Sequence, residues 1–337
     1  MPELIDSVGS CVILKVSKVF NLSVEEPTMH YCSIFQQLFK FILRYRFDKM
    51  VGKEILDRTI ACAPGHGFKF HNPLRVIDST TIDLCLTQYD WAYYRKHKVA
   101  IKFHTELDLS GNIPCFVLMS NGKMSDIRAA KENIVIVPDS IYTFDKGYYD
   151  LSWFQQINNA GAFFVTRVKD NARIEFLGQH RPSDEKRGVF RDEVIWFTGP
   201  QSVKKFPGEL RLVEFRDEET DKVYRFITNN FKLAASTIAA IYKRRWQIEL
   251  FFKWIKQNLK IKSFLGTSEN AVMTQIWVAL IHYLLVTYIK FISGIKISLT
   301  EITIRIRDAL MMNYDLMEIL RWDRKTILKP PDWNRPR

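Results

Sequence analysis

The chain is predicted to be a mixed α/β protein: a five-stranded mixed sheet flanked by helices, with a β-rich insertion ahead of one long helix and a helical C-terminal region. Three observations predict this. Apolar and β-branched runs between residues 74 and 168 follow the order strand, strand, strand, helix, strand, helix, strand. Four more β-type runs, RIEFLG, GVFRDEVIWF, ELRLVEF and KVYRFIT, lie between Lys169 and Asn230 with polar turns between them. From Ala235 to Lys260 the apolar period becomes helical, and most of the later chain keeps that period.

The 337 residues suffice for a large core and two domains, and a hydrophobic fraction of 47% is that of a folded protein. Forty-nine Lys and Arg against 37 Asp and Glu give a net charge of +12, which favours a polyanionic partner such as nucleic acid over an acidic protein. Membrane-surface proteins share that charge, so it does not decide between them. The five cysteines, Cys11, Cys32, Cys62, Cys85 and Cys115, are scattered and never form a CxxC pair, so neither a disulfide framework nor a zinc knuckle is expected. A reduced cytoplasmic compartment is. Val12, Ile13 and Leu14 run straight into Lys15, which is not a secretory pattern. Val272 to Ile289 is free of Asp, Glu, Lys and Arg and has the length of a membrane span. A helix enclosed in a large domain reads the same way, and Gln275, His282 and two threonines favour that reading.

Element by element, Ile34, Leu38, Phe41 and Ile42 mark an amphipathic helix with Lys and Arg on its other side. Pro64, Gly65, Gly67 and Pro73 make a loop and a boundary. Leu74 to Asp83 is a strand with Val76 and Ile77 facing a core. Val99 to Leu109 and Ile113 to Met119 form a hairpin turned at Ser110, Gly111 and Asn112. Met124 to Asn133 is helical, and Ser140 to Asp145 is a short strand. A helix from Leu151 to Asn159 closes at Gly161, and Ala162 to Val168 is an apolar strand. This order places the first and fourth strands side by side in parallel, so Asp78 and Asp145 emerge near one another, at the crevice where open α/β sheets bind ligands. The four runs up to Asn230 read as an inserted β-subdomain. Beyond Lys260, Leu299 to Ile306 and Ala309 to Leu320 are helical, and the last stretch, KPPDWNRPR, is extended or disordered.

On the long helix, Tyr242, Arg245, Glu249 and Lys256 fall within an arc of about 60° at roughly 100° per residue. Beside this polar stripe runs an apolar one, Ile241, Ile248, Phe252, Ile255 and Leu259, which would bury the helix and hold Glu249 rigidly toward a cleft. Taken alone, the polar stripe is equally an exposed face of ordinary charge pairs. Asp78 alone caps a turn as easily as it binds a metal, and Asp145 alone ends a strand. Three acids brought together from distant positions repel one another unless cations sit between them, and hard oxygen ligands select Mg²⁺ or Mn²⁺. Two such ions about 4 Å apart suit in-line attack on a phosphodiester.

At these residues the chain resembles the DDE transposases of bacterial insertion sequences, specifically the insertion sequence 4 family. Tyr242, Arg245, Glu249 and Lys256 match the signature Y-x2-R-x3-E-x6-K without a gap. The block VIDSTTIDL carries Asp78 and YTFDKGY carries Asp145, and the likeness covers roughly Asp57 to Leu320. The resemblance implies an RNase H-like core with a β-rich insertion between the second Asp and the Glu. It implies that Asp78, Asp145 and Glu249 bind two Mg²⁺ ions, with Mn²⁺ as substitute. Tyr242, Arg245 and Lys256 would hold phosphates near the transposon end and steady a DNA hairpin intermediate. It also implies transposon-end and target DNA as partners, a homodimer on DNA, no membrane, and a nucleoid-associated place in the bacterial cytoplasm.

The expected domains are 1–62, an N-terminal helical remnant of a DNA-binding domain; 63–170, the first part of the catalytic core; 171–230, the insertion; 231–262, the Glu-bearing helix; and 263–337, the helical C-terminal region. The N-terminal part is expected to be an abridged form of the domain that reads terminal repeats in the family. Trp196 and Trp246 are candidates to stack on a flipped base, though a packed core is the expected place of each. Arg167 and Lys169, with Lys96, Lys98 and Lys102, are read as phosphate contacts or solvated charge. Asp83 and Asp126 rank behind the three acids, Asp126 serving equally as a first-turn helix acid. His97 and His104 are read as structural. A nuclease on the same fold, a non-transposing inhibitor that occupies DNA, and a membrane protein built on Val272 to Ile289 remain as alternatives.

Overall fold

The computed structural model describes residues 55–85, 88–95, 98–258, 264, 266–309 and 320–321. The helix expected at Ile34 to Arg46 and the one from Ala309 to Leu320 lie outside them, apart from the ends of the latter. Two compact units result: Pro64–Gln275 forms one, and Met1–Ala63 with Ile276–Arg337 the other.

The first unit is built on β1 (Leu74–Leu84), β2 (Tyr93–Arg95), β3 (Lys98–Asp108), β4 (Ile113–Asn121), β5 (Ile141–Phe144) and β6 (Phe163–Arg167). Two helices, α1 (Asp126–Asn133) and α2 (Leu151–Asn159), are interleaved with these strands. β1 is antiparallel to β3 and parallel to β5, and β5 is parallel to β6. The parallel pairing of β1 with the short β5, expected from the element order, is therefore present. The β3–β4 turn has Asn112 at φ 55, the left-handed conformation that Asn tolerates and β-branched residues do not.

The four runs after Lys169 form β7 (Ile174–Gln179), β8 (Val189–Phe197), β9 (Leu210–Asp217) and β10 (Lys222–Thr228), with a short helix α3 (Pro200–Lys205) before β9. They were expected to make a subdomain beside a five-stranded sheet. Instead β10 pairs antiparallel with β6, and one ten-stranded sheet runs β2-β3-β1-β5-β6-β10-β9-β8-β7, with β4 also on β3. The reason is an edge: β6 is a short, mostly buried strand whose outer backbone groups need partners, and β10 supplies them. A core of Phe144, Trp153, Phe154, Phe164, Ile195, Phe197, Phe206 and Leu212 spans the junction, with the Phe154 and Phe164 rings 4.4 Å apart.

The segment expected as one helix from Ala235 is two: α4 (Ala235–Lys243) and α5 (Trp246–Asn258). Between them the backbone tightens to three-residue hydrogen bonds, Arg245 N to Tyr242 O, Gln247 N to Arg244 O and Ile248 N to Arg245 O. The apolar stripe survives this break, since Ile241, Ile248, Phe252 and Ile255 are all buried. Leu259 lies outside the described residues.

Helix α6 (Glu269–Ser293) begins in the first unit and continues in the second, where α7 (Leu299–Ala309) follows. Among the described residues α6 is the one helix long and apolar enough to cross a membrane. Its buried positions, Val272, Ile276, Ala279, Leu280, Tyr283, Val286 and Ile289, recur at helical spacing, the pattern of a helix with one face in a protein core. In the second unit Val286, Ile289, Ile302 and Leu320 form a small apolar cluster.

Candidate active site

Successive residues of β1 point to opposite faces of the sheet. Asp78 shares its face with Thr80 and with their register partners on β3, Thr105 and Phe103. Helix α5 lies over this face, its Phe251 and Phe252 rings 6.5 and 6.0 Å from that of Phe103. The helix is thereby seated with Glu249, in its first turn, beside Asp78. One guanidinium spans the two acids: Arg245 Nη1 lies 3.2 Å from Asp78 Oδ2, and Arg245 Nη2 lies 2.6 Å from Glu249 Oε1.

Asp145 comes next to Asp78 through sheet register. The β1–β5 pairing ends at Ile77 opposite Phe144, so the two aspartates are the following residues on neighbouring parallel strands. Asp145 caps a 3-10 turn, Lys146–Tyr148, and its Oδ1 accepts from Gly147 N at 2.8 Å. A Cβ at Gly147 would stand 2.9 Å from that carboxylate oxygen, so the Asp-Lys-Gly run needs its glycine for this close approach.

The three acids act on one another electrically. Burial pushes the Asp78 carboxyl up to about 6, and the nearby charges of Asp145 and Glu249 push the same way, against the Ser79 N–H and Arg245, which favour the ionised form. Among the described residues, Arg167 Nε and Arg245 Nε are buried near the acids without a hydrogen-bond partner. Buried polar groups are normally paired, so these two N–H donors are open to an acceptor.

The sequence-predicted residues divide accordingly. Asp78, Asp145, Glu249, Arg245, Tyr242 and Arg167 gather in one region. Tyr242 packs on Phe226, ring centroids 4.9 Å apart, with the Arg167 and Arg245 guanidinium carbons 5.8 and 5.9 Å from its ring centre. Tyr242, Phe226, Arg167 and Arg245, with Trp246, line a pocket of about 500 Å³ whose wall also carries Asp217, Glu218 and Glu219 but none of the three acids. Trp246 was expected in the core and is instead 55% exposed, because the break before α5 turns it outward at the helix start. Trp196 is half-buried in β8, opposite Glu175. Lys256 is exposed two turns beyond Glu249, where the acid acting on it is Asp83. Lys169 is drawn elsewhere, its ammonium 5.0 Å from the Tyr149 ring centre.

Asp126 opens α1 as a first-turn acid. It also pairs with Lys102 at 2.9 Å, so Lys102 is bound within the fold. Burial opposes ionisation of Asp126, yet hydrogen bonds from His104, Ser79 and Lys102 outweigh it and hold the carboxyl well below the usual range. His104 is buried, with Nε2 3.0 Å from Ser120 Oγ. The side chains of Lys96, His97 and Lys98 lie outside the described residues.

Sequence reasoning missed a fully buried ion pair that holds the segment leading into α4. Arg211 on β9 and Asp192 on β8 are both fully buried, joined by two bonds of 2.6 and 2.7 Å. Arg211 Nη1 also donates to the carbonyls of Asn230 and Leu233, in the connection that launches α4. The available signal was a charged residue inside each of two apolar runs, ELRLVEF and GVFRDEVIWF.

As a donor set, three carboxylates offer hard oxygens suited to a small divalent cation. Among the described residues no three such side chains form a ready-made cage. Arg245 places its positive charge between Asp78 and Glu249, where the mutual repulsion of the acids calls for a cation.

Carboxylates meeting from remote stretches of chain at the parallel strands of a mixed sheet are an arrangement compatible with metal-assisted phosphoryl transfer, and sequence comparison places the chain among the DDE transposases, which are polynucleotidyl transferases. The transposase DDE domain family matches residues 69–285, and the chain belongs to that family. It is 34% identical to y4zB of Sinorhizobium fredii, named as a transposase, over 74% of this chain and 69% of that one. It is 30% identical to a Geobacillus stearothermophilus protein named as a transposase for insertion sequence element IS5377, over 78% and 68% of the two chains. Transposase InsG of the Escherichia coli element IS4 is 25% identical over 56% of this chain and 43% of its own.

Proposed function

We propose that the chain cuts the ends of an insertion sequence and joins them to target DNA, using Asp78, Asp145 and Glu249 as the ligands of two Mg²⁺ ions on an RNase H-like core. The observation that carries this is the Arg245 bridge, which reaches Asp78 across 167 residues of sequence and joins it to Glu249, with Asp145 at the next register position of the adjoining strand. The bound ions would supply Lewis acidity for in-line attack on a phosphodiester by water or a 3′ hydroxyl. The chain's own part is to place and orient. Asp78 and Asp145 are fixed by strand register and by the Ser79 and Gly147 N–H groups, and Glu249 is fixed by the seating of α5 on Phe103.

Binding of the DNA end falls to Tyr242, Arg245, Lys256, Arg167 and the exposed Trp246, with Lys169 as a more distant contact. The buried Nε atoms of Arg167 and Arg245, unpaired among the described residues, support this, because phosphate oxygens would satisfy them. Trp246, beside that pocket, offers a face to a base drawn out of the duplex, as a hairpin intermediate requires. The working form is a homodimer on DNA in the bacterial cytoplasm. The test is incubation of the purified chain with labelled ends of its element. Nicked, hairpin and joined products are expected with Mg²⁺ and none with EDTA, whereas cleavage that persists in EDTA would refute the proposal.

A further inference from the structure

The face of the sheet opposite the three acids carries a charged cluster that bears on Asp78. Ser79 follows Asp78 on β1 and so points to the other face. There it stands opposite His104 of β3, with Lys102 two residues away on the same strand. Asp126, at the start of α1, gathers all three: it accepts from the Ser79 hydroxyl, pairs with Lys102 Nζ at 2.9 Å and lies 3.4 Å from His104 Nδ1. Lys102 also donates to the Met124 carbonyl, which fastens the chain entering α1.

Ser79 therefore works on both faces at once. Its N–H donates to Asp78 Oδ1 at 2.8 Å, while its hydroxyl is anchored to Asp126 behind the sheet. The peptide unit that aims the Asp78 carboxylate is thus tied to an ion pair on the far side. We propose that Asp126, acting through Ser79, is a positioning residue that fixes the Asp78 carboxylate for a divalent cation. This rests on the reading of Asp78 as a metal ligand. Groups that orient a ligand from behind typically govern affinity by about 10- to 100-fold.

The test is a Mn²⁺ titration of the DNA-free full chain, following the paramagnetic signal of the free ion. Asp126→Ala and Ser79→Ala should each raise the half-saturating concentration about tenfold or more. Ser79→Thr keeps the hydroxyl and should bind close to the parent value. Ser79→Ala leaves the Asp126 and Lys102 pair in place, so it decides the matter if Asp126→Ala fails to fold. Parent affinity in Ser79→Ala, or equal losses in Ser79→Ala and Ser79→Thr, would overturn the inference. Asp78→Asn is the reference: if it too binds Mn²⁺ like the parent, the metal-ligand reading has failed and this inference with it. If Asp78→Asn alone loses the ion, only the role of Asp126 is refuted.

Discussion

Asp78 carries its charge at a cost. Its carboxyl, at about 6, titrates well above the unfolded value near 3.9, so between those limits the folded chain holds a proton that the unfolded chain has released. Stability therefore falls as pH rises through that window, and above it the deficit is about 3 kcal/mol. In a chelating buffer, Asp78→Asn should be more stable than the parent above pH 6 by up to about that amount, with the difference gone at pH 4. Denaturant midpoints at the two pH values measure this, and a parent that is the more stable at pH 8 contradicts it. The same residue was legible in the sequence because VIDSTTIDL places an acid, Asp78, inside a strand rich in β-branched residues, with Asp83 only at its far end. The exposure of Trp246 was not, since a large aromatic side chain reads as core until the helix start is located, even with Arg244, Arg245 and Gln247 beside it.

At the scale of elements, strands and helices were legible where local pattern decides them. β1, the β3–β4 hairpin, α2 and the four later strands fall within a residue or two of expectation. Partner choice was not legible: β10 joins β6 because an edge needs covering, and nothing local in KVYRFIT says which edge. The break between α4 and α5 was hidden for another reason. Three-residue bonds over a single turn leave the buried stripe intact, so the apolar period shows no gap.

The Arg211 and Asp192 pair, 19 residues apart, belongs to this scale because it fastens β8 and β9 to the segment that starts α4. Arg211→Met should cost about 3–5 kcal/mol, by leaving Asp192 buried and unpaired and the Asn230 and Leu233 carbonyls without their donor. Arg211→Met with Asp192→Leu should recover much of the loss. Chemical denaturation of the two variants checks it, and a single variant as stable as the parent would show the pair to be dispensable.

Across the whole molecule, one sheet joins the acids to the strands of the insertion, so α4 and α5 are laid over a continuous surface. The net charge of +12 belongs to the same scale and suits a DNA partner without specifying sequence. The central claim is that Asp78, Asp145 and Glu249 act as a unit on DNA. Its most direct test is cleavage of labelled transposon ends by Asp78→Asn, Asp145→Asn and Glu249→Gln, each beside a duplex-binding assay. Each variant should fail to cleave and still bind, since each loses a metal ligand and no contact assigned to phosphate. Cleavage at the parent rate by any one of them would contradict the three-acid assignment.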